Sequence, residues 1–139
     1  MSQTPGTSRP SSLLSKTQVS SWPPEKRQAV IRTITPKWTR FIPQIPHPKQ
    51  RAFLLLDDRE VLFGGAARGA KSSALLMAAL QYVDVPGYAA IILRRNYVDL
   101  VKADALIPRS FEWLAGTDAH WSGERKTWTF PSGATLEFG

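Results

Sequence analysis

The sequence predicts an α/β fold, a P-loop-type parallel sheet with flanking helices, incomplete in its strands and followed by a C-terminal antiparallel hairpin. The small-residue loop Gly64 to Ser73 lies between the apolar run Val61-Leu62-Phe63 and the helix-forming run Ala74 to Leu80. Tyr88-Ala89-Ala90-Ile91-Ile92-Leu93 is an unbroken apolar run, as expected of a buried parallel strand. Thr127 to Phe130 and Ala134 to Phe138 alternate with period two around Pro131-Ser132-Gly133, the pattern of a hairpin.

Taken in order, residues 1–20 are dominated by Ser, Thr, Gln, Pro and Gly with little apolar content, so they read as a flexible tail. Residues 21–48 form a helix and a proline-rich connection. Prolines are tolerated in a first turn, so Ser21 to Glu25 opens a short helix over Lys26 to Ile34, with Ala29, Val30 and Ile34 as its apolar stripe. Pro36, Pro43, Pro46 and Pro48 then forbid regular structure, and Trp38, Phe41 and Ile42 are expected to pin the connection to the core. Residues 49–139 are the N-terminal portion of a nucleotide-binding domain: a helix from Lys49 to Leu56, a strand from Glu60 to Phe63, the loop, and a helix over 71–84. After the turn at Pro86-Gly87 comes the second strand, and a right-handed crossover is expected to set the two strands side by side and parallel. A helix over 97–115, kinked at Pro108, buries Leu100, Leu106, Phe111 and Leu114.

The loop Gly64-Gly65-Ala66-Ala67-Arg68-Gly69-Ala70-Lys71-Ser72-Ser73 has the composition of a phosphate-binding P-loop. A triphosphate is held by converging backbone N–H groups, and small residues let the backbone approach. The following helix turns free N–H groups and its positive dipole end toward the phosphates, Lys71 adds a mobile charge near the β/γ oxygens, and Ser72 ligates Mg²⁺. In the strict pattern G-x-x-x-x-G-K-[ST], Gly65 comes first and Ala70 stands where the second glycine belongs. If that position requires φ above zero, alanine costs roughly 1 kcal/mol of strain and weakens nucleotide binding. The alternative is a glycine-rich strand-to-helix turn that binds nothing.

With 139 residues the chain has room for one domain or part of one. It has no cysteine, and its two histidines, His47 and His120, are isolated, so neither a disulfide framework nor a metal cluster is expected. No apolar stretch approaches the roughly 20 residues of a membrane span. The net charge of +7 is uneven: residues 1–60 hold ten Lys/Arg and four Asp/Glu, residues 61–139 eight and seven. Such a basic N-terminal part suits contact with nucleic-acid phosphates, and equally a solvated surface.

Hydrolysis by a P-loop enzyme needs a further apolar strand ending in an acid, to hold Mg²⁺ and position water. Ala90 to Leu93 ends in Arg94-Arg95, and the second hairpin strand has its only acid, Glu137, in its interior. Neither fits, so the residues point to nucleotide binding more strongly than to catalysis.

Pro46-His47-Pro48-Lys49-Gln50, then Phe63 to Ser73, then Tyr88 to Tyr97 with its Ile-Leu-Arg-Arg strand end, together resemble the start of the ATPase domain of the large terminase subunit of tailed bacteriophages. The resemblance covers roughly residues 45–139. It implies ATP and Mg²⁺ as cofactors, double-stranded DNA as partner together with a small terminase subunit and a portal protein, no membrane, and a place in the cytoplasm of an infected or lysogenic bacterial host. Residue by residue it implies that Gln50 reads adenine, that Lys71 and Ser72 are the Walker A lysine and hydroxyl, and that Arg68 senses the γ-phosphate. Lys71 and Arg68 would be the catalytic pair. Gly65, Ala66, Ala67, Arg68, Gly69, Ala70, Lys71, Ser72 and Ser73 would surround the nucleotide. Arg94 and Arg95, at a strand's C-terminal end, would face nucleotide or DNA. Each has a plain alternative: Gln50 as a helix cap, Arg68 as a solvated loop residue, Arg94 and Arg95 as surface ion pairs. The chain departs from the family at Ala70 and ends before the acidic strand, the coupling motif and the nuclease, as expected of a shortened reading frame, a prophage remnant or a cut chain. Competing readings are another P-loop ATPase, helicase-like or partition-type, and a non-catalytic basic fragment that binds nucleic acid or partner subunits.

Overall fold

The computed structural model describes residues 20–34, 36–65 and 70–139. The chain divides into two units, Met1–Ile34 and Thr35–Gly139. In the first, α1 spans Pro24–Ile34, the helix expected there; Pro24 opens it because the first N–H of a helix needs no partner. Lys26 Nζ lies 4.5 Å from the centre of the Trp22 ring. The predicted tail falls outside the described residues except for Ser20.

Among the described residues the second unit holds four helices and a four-stranded sheet: α2 (Pro48–Leu54), α3 (Ala70–Leu80), β1 (Ala89–Ile92), α4 (Val98–Val101), α5 (Leu106–Leu114), β2 (His120–Ser122), β3 (Thr127–Thr129) and β4 (Thr135–Phe138). The strand order is β1-β4-β3-β2. The hairpin forms as predicted, with Trp128 opposite Leu136. Its turn closes through Phe130 N–H to Ala134 O at 2.9 Å, and Gly133 supplies the φ of 85° that the turn requires.

The sheet is mixed, which corrects the expected parallel arrangement of Glu60–Phe63 beside Tyr88–Leu93. Residues 60–63 form no strand, and β1 instead pairs in parallel with β4, Ala90 opposite Leu136 and Ile92 opposite Phe138. A strand is stable only where a neighbour accepts its backbone hydrogen bonds, and, among the described residues, 60–63 have none; Leu62 is 97% exposed. A second correction concerns β1 itself, which is covered on one face only. Ile92 is buried while Ile91 is 56% exposed.

The helix expected over 97–115 is two helices. They are separated at residues 102–105, where Asp104 takes φ 63°, so the break precedes Pro108 and is no kink at it. Pro108 falls in the first turn of α5, where its missing N–H leaves no hydrogen bond unmade. One core joins Leu76, Met77 and Leu80 of α3, Leu106 and Leu114 of α5, and Trp128, Leu136 and Phe138 of the sheet. Phe111, expected inside, is 42% exposed, but its ring still meets Trp121 and Trp128 edge-on at 5.1 and 4.9 Å. Phe41 and Ile42 anchor the connection as predicted, whereas Trp38 stays 40% exposed. Thr39 Oγ1 donates to Leu80 O at 2.9 Å, and Gln81 Nε2 to the carbonyls of Lys37 and Leu54, both at 3.2 Å. These bonds hold the connection and α2 against the end of α3. No helix among the described residues is long and apolar enough to cross a membrane.

Candidate functional site

Ala70 is the first described residue of α3, where the strict loop pattern has its second glycine. Gly65 is where the chain uses glycine: at φ 155° it holds a backbone that side chains rarely adopt, and no atom lies within 4 Å of where a Cβ would sit. Among the described residues, the space beside Gly64 and Gly65 is open. Lys71, in the first turn of α3, folds back so that Nζ donates to Gly65 O at 2.8 Å. An ammonium carries three protons to donate. Ser72 is half-buried beside it and Ser73 is buried.

Gln50 is the most confined polar residue here, 1% exposed. Its Oε1 accepts the His47 N–H at 2.9 Å, and its Nε2 donates to Ala70 O at 2.7 Å. The first bond satisfies a donor at the start of α2; the second joins α2 to the first residue of α3. The side chain therefore braces the shoulder of the loop.

Two clefts meet at this brace. One, about 460 Å³, is lined by His47, Pro48, Lys49 and Gln50 on one side and Phe63, Gly64, Gly65, Ala70 and Lys71 on the other. The other, about 400 Å³, lies between Gln44, His47, Gln50, Ala70, Ser73 and the α5 residues Arg109, Glu112 and Trp113. His47, Gln50 and Ala70 wall both. Arg109 Nη1 donates to Ser73 Oγ at 2.9 Å, which ties α5 to the start of α3.

Comparison with family models, curated proteins and solved structures found no match. The site is thus read from its own residues. The structure brings Gln50, Gly65, Ala70, Lys71 and Ser73 around the two clefts, with Ser72 next in chain to Lys71. Ala66, Ala67, Arg68 and Gly69 lie outside the described residues. Arg94 and Arg95 are exposed just beyond β1, where the Arg94 N–H donates to Gly139 O at 2.9 Å, and they line neither cleft. Glu137 is exposed in β4 and lines neither cleft. Among the described residues no three of His, Cys, Asp and Glu gather as a metal group.

The sequence reading missed Arg109, Glu112 and Trp113. Their spacing on α5 was legible, but their distance in sequence from the loop, with β1 and α4 intervening, gave no signal that they meet it.

Proposed function

We propose that the chain binds ATP with Mg²⁺ at the loop between Gly64 and Ser73, as the nucleotide-binding portion of a viral DNA-packaging motor of the large-terminase kind. The observation that carries this reading is the Lys71 ammonium, held 2.8 Å from the Gly65 carbonyl at the mouth of a 460 Å³ cleft, with a helix beginning one residue earlier. The donor set suits a polyphosphate. Lys71 supplies charge, the first turn of α3 supplies backbone N–H groups and the positive end of a helix, and Gly65 keeps a Cβ out of the approach.

Ser72 is the hydroxyl to ligate Mg²⁺, and Arg68 the residue to meet the γ-phosphate. The bound nucleotide supplies a phosphoanhydride whose cleavage drives movement of double-stranded DNA in the assembled motor. Within this chain the residues bind and orient: Lys71 neutralises phosphate charge, Gln50 fixes the loop's shoulder, and Phe63, whose ring lies tilted against Phe53 at 4.8 Å between centres, closes the apolar side of the cleft. Arg94 and Arg95 extend the reading to contact with DNA phosphates. Partners are then a small terminase subunit and a portal protein, in the cytoplasm of a bacterial host.

Titration of the chain with MgATP, followed by calorimetry, tests the reading. Wild type is expected to bind and Lys71→Ala to lose about tenfold or more in affinity, the worth of one charge-assisted hydrogen bond. Equal affinities for the two proteins would defeat it.

A further inference from the structure

A nucleoside triphosphate needs two adjoining sites, one for the anion and one for the base, and two clefts share a wall beside Lys71. The cleft at Lys71 suits phosphate. The second differs in character, since Gln44, Ser73, Arg109, Glu112 and Trp113 border it, residue types that carry acceptors, donors and an indole.

Gln50 stands between them and is spoken for. Each polar atom of its amide already has a backbone partner, and 1% of the residue is exposed, so Gln50 borders both clefts with its amide engaged within the fold. To read a base it would have to give up the His47 N–H or the Ala70 carbonyl, leaving a buried group unpaired. Base recognition must come from elsewhere. Arg109 and Glu112 lie three residues apart on α5, hence on neighbouring positions of one helix face, and both line the second cleft. A carboxylate only accepts and a guanidinium only donates. Adenine presents the complementary pair, an exocyclic amine beside a ring nitrogen that accepts.

We infer that the cleft between Gln50, Ser73 and α5 is the nucleobase site, with Glu112 accepting from the adenine amine and Arg109 donating to a ring nitrogen, while Gln50 is a positioning residue that reads no base. This rests on the nucleotide-binding reading above. Arg109 is steered by its bond to Ser73 Oγ, so the residue after the Mg²⁺-ligating serine aligns the base site with the phosphate site. Trp113 closes the same cleft and makes occupancy visible by fluorescence.

The test compares MgATP, MgGTP and magnesium tripolyphosphate by calorimetry on wild type, Glu112→Gln, Arg109→Gln, Gln50→Ala and Lys71→Ala, with Trp113→Phe followed by fluorescence. Wild type is expected to prefer ATP over both other ligands. Glu112→Gln and Arg109→Gln should lose about 10- to 100-fold for ATP and nothing for tripolyphosphate. Gln50→Ala should weaken all three ligands in parallel, and Lys71→Ala likewise. ATP-induced quenching should fall in Trp113→Phe. Glu112 is exposed, so its variant tests the base contact without disturbing the core. Selective loss of ATP binding in Gln50→Ala, or unchanged ATP affinity in Glu112→Gln, overturns the assignment while leaving the phosphate site standing. If wild type binds neither ATP nor tripolyphosphate, both readings fall.

Discussion

The hairpin sheet and the loop ahead of α3 sit in one unit, yet they are built on opposite terms. In β3 and β4 every second residue is closed into the core: Trp128 is 5% exposed, Leu136 0% and Phe138 2%. Ahead of α3, Leu62 is 97% exposed, and a Cβ added at Gly64 or Gly65 would touch nothing within 4 Å. Stability is concentrated where alternation meets a core. The open backbone that a ligand requires is found where packing is withheld.

The largest expected effect lies on the sheet side. Leu136→Ala should cost about 2–5 kcal/mol in urea unfolding, through lost transfer energy and the cavity left behind, whereas Leu62→Ala should stay within about 0.5 kcal/mol. A comparable loss from Leu62→Ala would show that residues 60–63 are packed in solution and dissolve the contrast. Next comes Ser110→Ala. The Trp128 indole N–H donates to Ser110 Oγ at 2.9 Å in the core, and stranding it should cost about 1–3 kcal/mol with the m-value unchanged.

Gly65→Ala introduces no clash but forces a side chain onto a φ of 155°, so roughly 1 kcal/mol of strain is expected, with nucleotide affinity falling if the strain is relieved by moving the loop. Unfolding and calorimetry on the same sample separate the two.

The smallest effect belongs to the exposed Arg40–Asp118 pair, whose guanidinium nitrogen lies 2.7 Å from the carboxylate. Its hydrogen bond from Arg40 holds the Asp118 carboxyl below its ordinary value of 3.8. Because the ionised form is favoured in the folded chain, the contribution is present above that value and is lost as pH falls through the lower, folded one. Asp118→Asn should therefore shift the melting midpoint slightly at neutral pH and not at all in strong acid. High salt should shrink the shift further.

Elements whose information is local were legible in the sequence. The proline-opened α1 and the Pro131-Ser132-Gly133 hairpin formed as their residues indicate, and the helix after the loop formed too, ending at Leu80 rather than at residue 84. The structure also lines one cleft with Gln50, Gly65 and Lys71. What failed depended on non-local pairing: residues 60–63 are as apolar as a strand but find no neighbour, and the strand at Trp121 was hidden because three residues carry little periodicity.

The sequence by itself determined the alternation that closes the hairpin and the small-residue loop running into a helix with Lys71 in its first turn. Turn geometry and side-chain period act over a few residues, so they are written in order along the chain. Only the tertiary structure decided that β1 pairs with β4, that Gln50 is consumed in bracing α2 to α3, and that Arg109 and Glu112 border the same site. Those outcomes depend on which distant segments bury their apolar faces together, and burial is a property of the whole fold.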